Sequence, residues 1–335
     1  MLSELTYVAI MADITSTCNL RCPFCCNDWR NIRGNTNMSP ETFAKLIELI
    51  PLAENEGFYF SCLFEPTIHP GFIQFLRQVP AAGRGKVFFT TNLAKRLPYE
   101  TFHELSQVNI HHINVSLDSL NPATYEDLRH GAKFDTFMLN LEDLVTVFRK
   151  YPQSPSIRFI TMVFKQNLNE LLDLVSVCHD RFLSEQHELR APFNISLSHM
   201  DEEWIGKSII SKKEWDELES RFSGLPFRPK FKVPSVLDEP EDNQSLNPSA
   251  DPRIPSVYTV IPKLCIRINS DGTMFLPWNK KKWYIYNINE IENPHMFFKR
   301  KLYRIYDVAT WTRWAHAFRS YTRVLPGLSR STARR

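Results

Sequence analysis

Six apolar runs of five to eight residues punctuate the first 200 positions of this chain, and their alternation with helical stretches is its tightest constraint on fold. The runs are Tyr7–Ile14, Phe58–Leu63, Lys86–Thr90, Ile113–Leu117, Ile157–Val163 and Phe193–Leu197. Between them lie segments with helical periodicity: Thr42–Leu49, Phe72–Val79, Tyr99–Ser106, Phe137–Lys150 and Leu168–Cys178. Ser39 suits the N-cap of the first helix and Pro40 its first turn. Near-continuous apolar strands are what a parallel sheet covered by helices requires. The expectation is an α/β fold, a partial (β/α)6 TIM-like barrel over residues 5–215, with functional residues at the C-terminal ends of the strands.

Beyond the barrel the composition changes. Ser235–Ser256 is rich in Pro, Asp, Glu, Ser and Asn and reads as a linker over 235–256. Residues 257–296 form a small extension in which alternating residues flank Asp271-Gly272, the pattern of a β-hairpin. Residues 297–335 are a basic tail: ten Lys/Arg against Asp307 give it +9, leaving −6 for the rest of a chain whose net charge is +3. Wound as a helix, Ala309–Leu325 puts Trp311, Trp314, Phe318, Tyr321 and Leu325 on one face and Arg313, His316, Arg319 and Arg323 on the other. Such a helix either lies on an anionic membrane surface or docks its aromatic face on the protein. Nucleic acid is not an expected partner, because basic residues confined to a tail are a weak footprint. No apolar run is long enough to span a bilayer, and the N-terminus lacks the pattern of a signal peptide. Seven cysteines, an odd number with four clustered, do not suit a secreted disulfide framework. The expected location is cytoplasmic, with peripheral attachment to the inner membrane face through the tail as a further reading.

The clustered cysteines lie in "TSTCNLRCPFCCND" (Thr15–Asp28), where Cys18, Cys22 and Cys25 are spaced C-x3-C-x2-C and Cys26 follows. Three thiols in a loop after the first strand can converge on one metal centre. A structural zinc site wants four ligands, often in two separated pairs, and no second pair follows. An iron–sulfur cluster held by three thiolates leaves one iron open for chemistry.

The spacing and its setting, "STCNLRCPFC", resemble the signature of the radical S-adenosylmethionine (radical SAM) enzymes, including Phe24 before the last cysteine. Further segments follow in the family's order. "FEPTIHPGF" (Phe64–Phe72) looks like its Gly-Gly-Glu-Pro region, with Leu63 and Phe64 in place of the glycines. "TTNLA" (Thr90–Ala94) looks like its Thr-Asn-Gly stretch, with Leu93 for the glycine. "INVSLDSLNPATYEDLRHGAKFD" (Ile113–Asp135) is similar to its fourth-strand segment, and "VFKQNLNEL" (Val163–Leu171) resembles its Asn-x-x-Glu stretch. "CIRINSDGTMFLPW" (Cys265–Trp278) resembles the start of the family's cysteine-rich SPASM/twitch extension, but Trp278 stands where a cysteine is usual and no cysteine follows Cys265.

The resemblance implies one [4Fe–4S] cluster held by Cys18, Cys22 and Cys25; no auxiliary cluster is expected, because one thiol in the extension cannot replace the three or four that would hold it. It implies cleavage of S-adenosylmethionine to a 5′-deoxyadenosyl radical that abstracts hydrogen from a substrate. The implied cofactor-binding residues are Phe24, Glu65, Pro66, Thr91, Asn92, Ser116, Asp118 and Arg129. Asn167 and Glu170 read as helix caps. Cys62 is a candidate hydrogen-atom donor, with an inert thiol as the other reading; Cys178 and Cys265 read as core. A flavodoxin- or ferredoxin-like electron donor is expected. No leader-binding domain is evident before the first strand, so the favoured substrate is a small or lipid-linked metabolite such as a sugar, nucleotide or polyol, with a redox-neutral outcome. Peptide or protein modification is the alternative within the class. A non-catalytic, zinc-stabilised membrane adaptor, with Cys26 as fourth ligand, is the alternative outside it.

Overall fold

The first five apolar runs lie side by side as parallel strands, with one face to helices and one to the barrel interior. A computed structural model of the chain describes residues 8–25, 27, 36–61, 63–192, 202–232, 264–278 and 281–299. The strands are β1 (Val8–Ala12), β2 (Phe58–Phe60), β3 (Val87–Thr91), β4 (His112–Ser116), β5 (Ser156–Met162), β6 (Ser184–Arg190), β7 (Lys230–Lys232), β8 (Leu264–Ile268), β9 (Thr273–Trp278) and β10 (Lys281–Asn287). They form one ten-stranded sheet in the order β10-β9-β8-β1-β2-β3-β4-β5-β6-β7. Pairing is parallel from β8 through β1 to β7 and antiparallel between β8, β9 and β10. The sheet does not close, as expected of a partial barrel.

The helices are α1 (Pro40–Ile47), α2 (Phe72–Arg77), α3 (Tyr99–Leu105), α4 (Pro122–Leu128), α5 (Phe134–Lys150), α6 (Leu171–Arg181), α7 (Glu202–Ser208) and α8 (Lys212–Arg221). Ser39 caps α1 by accepting from the Thr42 N–H, with Pro40 in the first turn. Asn121 caps α4 through the Ala123 and Thr124 N–H groups. None of the described helices is long and apolar enough to cross a membrane.

Period-two alternation sorts the strand residues into two faces. Phe58 and Phe60 of β2 pack outward with Phe43 of α1, which stacks on Phe75 of α2 at 4.1 Å. Burial of each such ring is worth roughly 1.5–3 kcal/mol. The opposite face carries Tyr59, Thr90, Asn114, Ser116, Glu188 and Arg190 beside Phe88, Ile160 and Met162, so the interior of the barrel mixes polar and apolar side chains. One sequence expectation changes. The sixth strand is Ser184–Arg190 rather than Phe193–Leu197, which lies outside the described residues. Leu189 is the only large aliphatic residue in "SEQHELR", so no apolar run announces it. The extension joins the same sheet, because β8 pairs with β1. The linker 235–256 and the helix expected at Ala309–Leu325 lie outside the described residues.

Candidate active site

The loop after β1 brings Cys18, Cys22 and Cys25 to one cavity of about 200 Å3 at the C-terminal ends of the strands. The loop is anchored on the end of α4 through the Arg21 N–H, which donates to the His130 carbonyl at 2.8 Å. Gly131 follows, and its backbone conformation rather than the spacing is what calls for a glycine. Its φ is +94°, and a Cβ there would stand 3.4 Å from the Asn19 carbonyl oxygen. N–H groups point at the sulfurs: Leu20 N–H to Cys18 Sγ at 3.5 Å, Asn27 N–H to Cys25 Sγ at 3.4 Å and Asn92 Nδ2 to Cys18 Sγ at 3.6 Å. Burial pushes the Cys18 thiol up to about 11, with Glu65 adding to it, and the Cys22 thiol up to about 12. Thiols this strongly desolvated give up their protons when a metal cation replaces them.

Glu65 follows β2 and is the hub of the next layer. Its Oε1 accepts from the Thr67 N–H (3.2 Å), Thr67 Oγ1 (2.7 Å) and Thr91 Oγ1 (2.7 Å), while Oε2 accepts from the Asn92 N–H (2.6 Å). The Glu65 N–H donates to the Thr17 carbonyl at 3.3 Å, so the carboxylate loop is tied to the cysteine loop. Burial raises the Glu65 pKa and outweighs these donors. No cation among the described residues pairs with it. Asn92 Nδ2 also donates to Asn19 Oδ1 at 2.9 Å, completing a bridge to the cysteine loop. Leu93 sits at φ +52°, the left-handed conformation that glycine adopts without strain, with its side chain buried in the core.

Arg129, at the end of α4, reaches the cavity from the opposite side. Its Nε stands 2.7 Å from Asp118 Oδ2, and both side chains are buried. Burial alone would lower the Arg129 pKa, but Asp118 and Cys22 hold it above the usual value, so it remains a cation. Its guanidinium lies 5.8 Å from the centre of the Phe24 ring, which packs on Phe164 at 4.9 Å. Asp118 also takes the Met162 N–H at 2.8 Å. The expected helix caps do other work. Asn167 Nδ2 donates to the carbonyls of Asp118 (2.7 Å) and Met162 (2.9 Å), and Glu170 holds Ser119 Oγ at 2.5 Å and the Leu120 N–H at 3.1 Å.

The three cysteines, Phe24, Glu65, Asn92, Ser116 and Arg129 line the cavity together. Pro66, Thr91 and Asp118 are buried behind that wall. Cys62 and Cys26 lie outside the described residues. Cys265 projects from β8 with its thiol 3.1 Å from Met11 Sδ. The sequence reading missed Tyr59, Thr90 and Arg190. Tyr59 Oη and Thr90 Oγ1 are 2.7 Å apart, and Arg190 Nε donates to Glu188 Oε2 at 2.7 Å. All three line the cavity from the inner face of the sheet, and their only signal was polarity within strands.

The donor set fits an iron–sulfur cluster with S-adenosylmethionine beside it. Three cavity-lining thiols with N–H···S support can hold the metal. Glu65, a buried carboxylate without a counter-charge, suits an ammonium group, and Arg129 suits a carboxylate. Fold and site together define a partial β/α barrel with a three-cysteine cluster loop at its C-terminal mouth.

Residues 13–178 match the family described as the radical SAM superfamily. GTP 3′,8-cyclase of Synechocystis sp. is 28% identical over 172 residues, covering 50% of this chain and 49% of that protein. A tungsten-containing aldehyde ferredoxin oxidoreductase cofactor-modifying protein of Pyrococcus furiosus is 28% identical over 171 residues, covering 48% of this chain and 45% of that protein. The chain thus spans about half the length of these curated relatives. SuiB of Streptococcus suis, solved with S-adenosylmethionine, superposes with a TM-score of 0.58 at 15% identity, over 88% of this chain and 66% of that one. This chain belongs to the radical SAM superfamily and is an enzyme of that class. Membership implies a [4Fe–4S] cluster, S-adenosylmethionine and a reductant, and it sets aside the zinc-adaptor alternative.

Proposed function

We propose that the enzyme takes a hydrogen atom from a small polar metabolite, free or lipid-linked, of the sugar, nucleotide or polyol kind. The observation that carries this reading is the shared cavity, in which the hydroxyl-bearing residues Tyr59, Ser61, Thr90 and Ser116 line the same space as the three cysteines, with Arg190 also on its wall. Hydroxyl side chains both donate and accept, as recognition of a polyhydroxylated substrate requires. Ile160 and Met162 supply an apolar wall for a ring face or carbon chain.

In this reading Cys18, Cys22 and Cys25 hold the cluster. Glu65 and Asn92 face the ammonium end of S-adenosylmethionine, and Arg129, fixed by Asp118, faces its carboxylate. When bound, the cluster and S-adenosylmethionine supply the one-electron chemistry that makes hydrogen-atom abstraction feasible. The protein's share is to bind, orient and exclude water. A flavodoxin- or ferredoxin-like protein supplies the electron, one cluster suffices, and the enzyme works in the cytoplasm. The likeness to SuiB is at 15% identity and carries the fold alone, so it lends no weight to a peptide substrate.

The test is an anaerobic assay of the reconstituted chain with deuterated nucleotides, sugar phosphates, polyols and peptides, following deuterium in 5′-deoxyadenosine by mass spectrometry. Transfer from a small polar metabolite is expected. Transfer from peptides alone would overturn the proposed substrate class.

A further inference from the structure

The C-terminal extension reaches the cofactor loop through an ion pair between the half-buried Arg267 and the buried Asp13. Strand β8 runs parallel to β1 with Met11 opposite Arg267 and Ala12 opposite Ile268, and the Asp13 N–H donates to the Ile268 carbonyl at 3.0 Å. That register sets Arg267 beside the end of β1. Its Nη2 lies 2.7 Å from Asp13 Oδ2, with side-chain exposures of 14% and 2%. The other oxygen, Asp13 Oδ1, accepts the backbone N–H of Leu63 at 3.0 Å. The Leu63 carbonyl in turn accepts from Asn27 Nδ2 at 2.8 Å, two residues after Cys25. A continuous path of contacts therefore runs from the extension, through Asp13, to the backbone between β2 and Glu65, and on to the cysteine loop.

Leu63 and Phe64 stand where the resembling family has glycines, and both line the cavity. Ser61, which opens this loop, has φ +60°; its N–H donates to the Ala12 carbonyl at 2.6 Å, and its hydroxyl closes on the Phe64 carbonyl. A loop with a left-handed entry and two bulky side chains in the cavity wall must be held from behind if its backbone is to face a ligand in one conformation. A buried carboxylate can do that while its desolvation is compensated, and Arg267 supplies the compensating charge.

We propose that Arg267 is a positioning residue for S-adenosylmethionine: through Asp13 it fixes the Leu63–Phe64 backbone that faces the cofactor. This rests on the reading of the cavity as the S-adenosylmethionine site. The extension is then a working part of the site despite its single cysteine. It also has an independent attachment. Thr42 Oγ1 donates to Asn289 Oδ1 at 2.8 Å, and Lys45 Nζ donates to the Asn289 and Ile291 carbonyls at 2.7 and 2.8 Å. Ile266, Ile268, Met274 and Ile288 join the main core. Loss of one ion pair leaves these contacts in place.

The experiment uses the full chain, reconstituted without oxygen, as wild type, Arg267→Met, Arg267→Lys and Lys45→Met. Iron and sulfide content and thermal midpoint report cluster and fold. The electron paramagnetic resonance spectrum of the reduced cluster, titrated with S-adenosylmethionine, reports cofactor binding at the open iron. Arg267→Met is expected to keep its cluster and weaken S-adenosylmethionine binding about tenfold or more, in the range seen when partners that orient a ligand are removed. Arg267→Lys keeps the charge and recovers part of the affinity; it is the variant to read if Arg267→Met fails to take up its cluster. Lys45→Met loosens the outer attachment and leaves the affinity unchanged. Equal weakening by Lys45→Met and Arg267→Met overturns the proposal in favour of general docking, and unaltered affinity in both Arg267 variants overturns it outright. A wild-type protein whose cluster spectrum ignores S-adenosylmethionine overturns the underlying reading, and the brace with it.

Discussion

The two ends of the parallel sheet each gather carboxylates and other polar or charged groups, but they settle their charges differently. At the amino ends, Arg158 bridges Glu56 (Nη1 to Oε2, 2.6 Å) and Glu185 (Nε to Oε2, 2.6 Å), while His111 Nε2 stands 3.8 Å from Glu56 Oε1. Ligand atoms of Glu56, His111 and His112 lie within 4.8 Å of one another, a spacing that would suit a metal ion. Yet Glu56 already has its cation in Arg158. At the carboxyl ends, Glu65 collects N–H and O–H donors but no cation among the described residues, and two of the three cysteines there are pushed far above their ordinary pKa. Convergence of metal-type residues is common to both ends. Unmet demand for positive charge belongs to one, and that is what marks the ligand site.

The sharpest way to break this contrast is to remove a ligand at one end and the ion-pair hub at the other. Cys22→Ala should lose the cluster, taking iron and sulfide to background after anaerobic reconstitution. Arg158→Met should keep the full complement and lose only stability, by about 0.2–1 kcal/mol per ion pair, since Glu56 and Glu185 are nearly half exposed and water takes over from the lost cation. Iron and sulfide analysis with thermal unfolding reads both. Full iron in Cys22→Ala, or iron lost in Arg158→Met, would show that the ends have been assigned the wrong way round.

A second effect is smaller and separates binding from stability. Glu65→Gln keeps the shape but removes the charge intended for an ammonium group. Weaker S-adenosylmethionine binding by about 30-fold or more is expected, the scale of losing one member of a buried charge pair. Without the cofactor two effects oppose: the variant loses a buried charge, but its amide NH2 must face the backbone N–H of Asn92 or Thr67, so the signature is a flatter dependence of stability on pH rather than a higher stability at neutral pH. The folded-state pKa of Glu65 is raised, so its ionised form disfavours folding as pH rises. Calorimetric titration with S-adenosylmethionine and denaturant unfolding measure the two effects. A variant that binds normally but unfolds easily would make Glu65 a structural residue.

What could be read in the sequence follows the same division. The cysteine loop, Glu65, Asn92 and Arg129 were legible because each belongs to a short local pattern tied to one strand end. Thr91 and Asp118 were legible too, although they stand behind the cavity wall and support Glu65 and Arg129 from there. Tyr59, Thr90 and Arg190 were not, because a polar residue within a strand does not say which face it occupies until the sheet is assembled. Long-range pairs left no trace: Arg158 meets Glu56 across 102 positions, and Arg267 meets Asp13 across 254. Leu93 shows a further limit. Its sequence departs from glycine, but its backbone keeps the left-handed φ of +52°. The strain of roughly 1–2 kcal/mol per residue is offset by burying a leucine side chain, worth about 1.5–3 kcal/mol.

The smallest expected effect concerns pH at the closed end. His112 is buried at the start of β4, its ring stacked on Phe88 at 4.5 Å and its Nδ1 2.8 Å from His111 Nδ1. Burial first, then the positive charge of Arg158 and His111, push its pKa down to about 3. The unfolded chain takes up that proton near pH 6.5, and the folded chain refuses it until about pH 3. The stability His112 confers is therefore complete above pH 6.5 and is lost as pH falls through this window, by up to about 1.4 kcal/mol per pH unit. His187 is pushed down to about 3 by burial and adds a similar slope. His112→Phe keeps the stacked ring and removes the proton. Between pH 7.5 and 5.5 its unfolding free energy should fall less steeply than that of wild type, with the difference growing as the solution becomes more acid. S-adenosylmethionine affinity should not change. An unchanged slope would mean that His112 accepts its proton in the folded state, and a changed affinity would mean that the amino end of the sheet communicates with the cofactor after all.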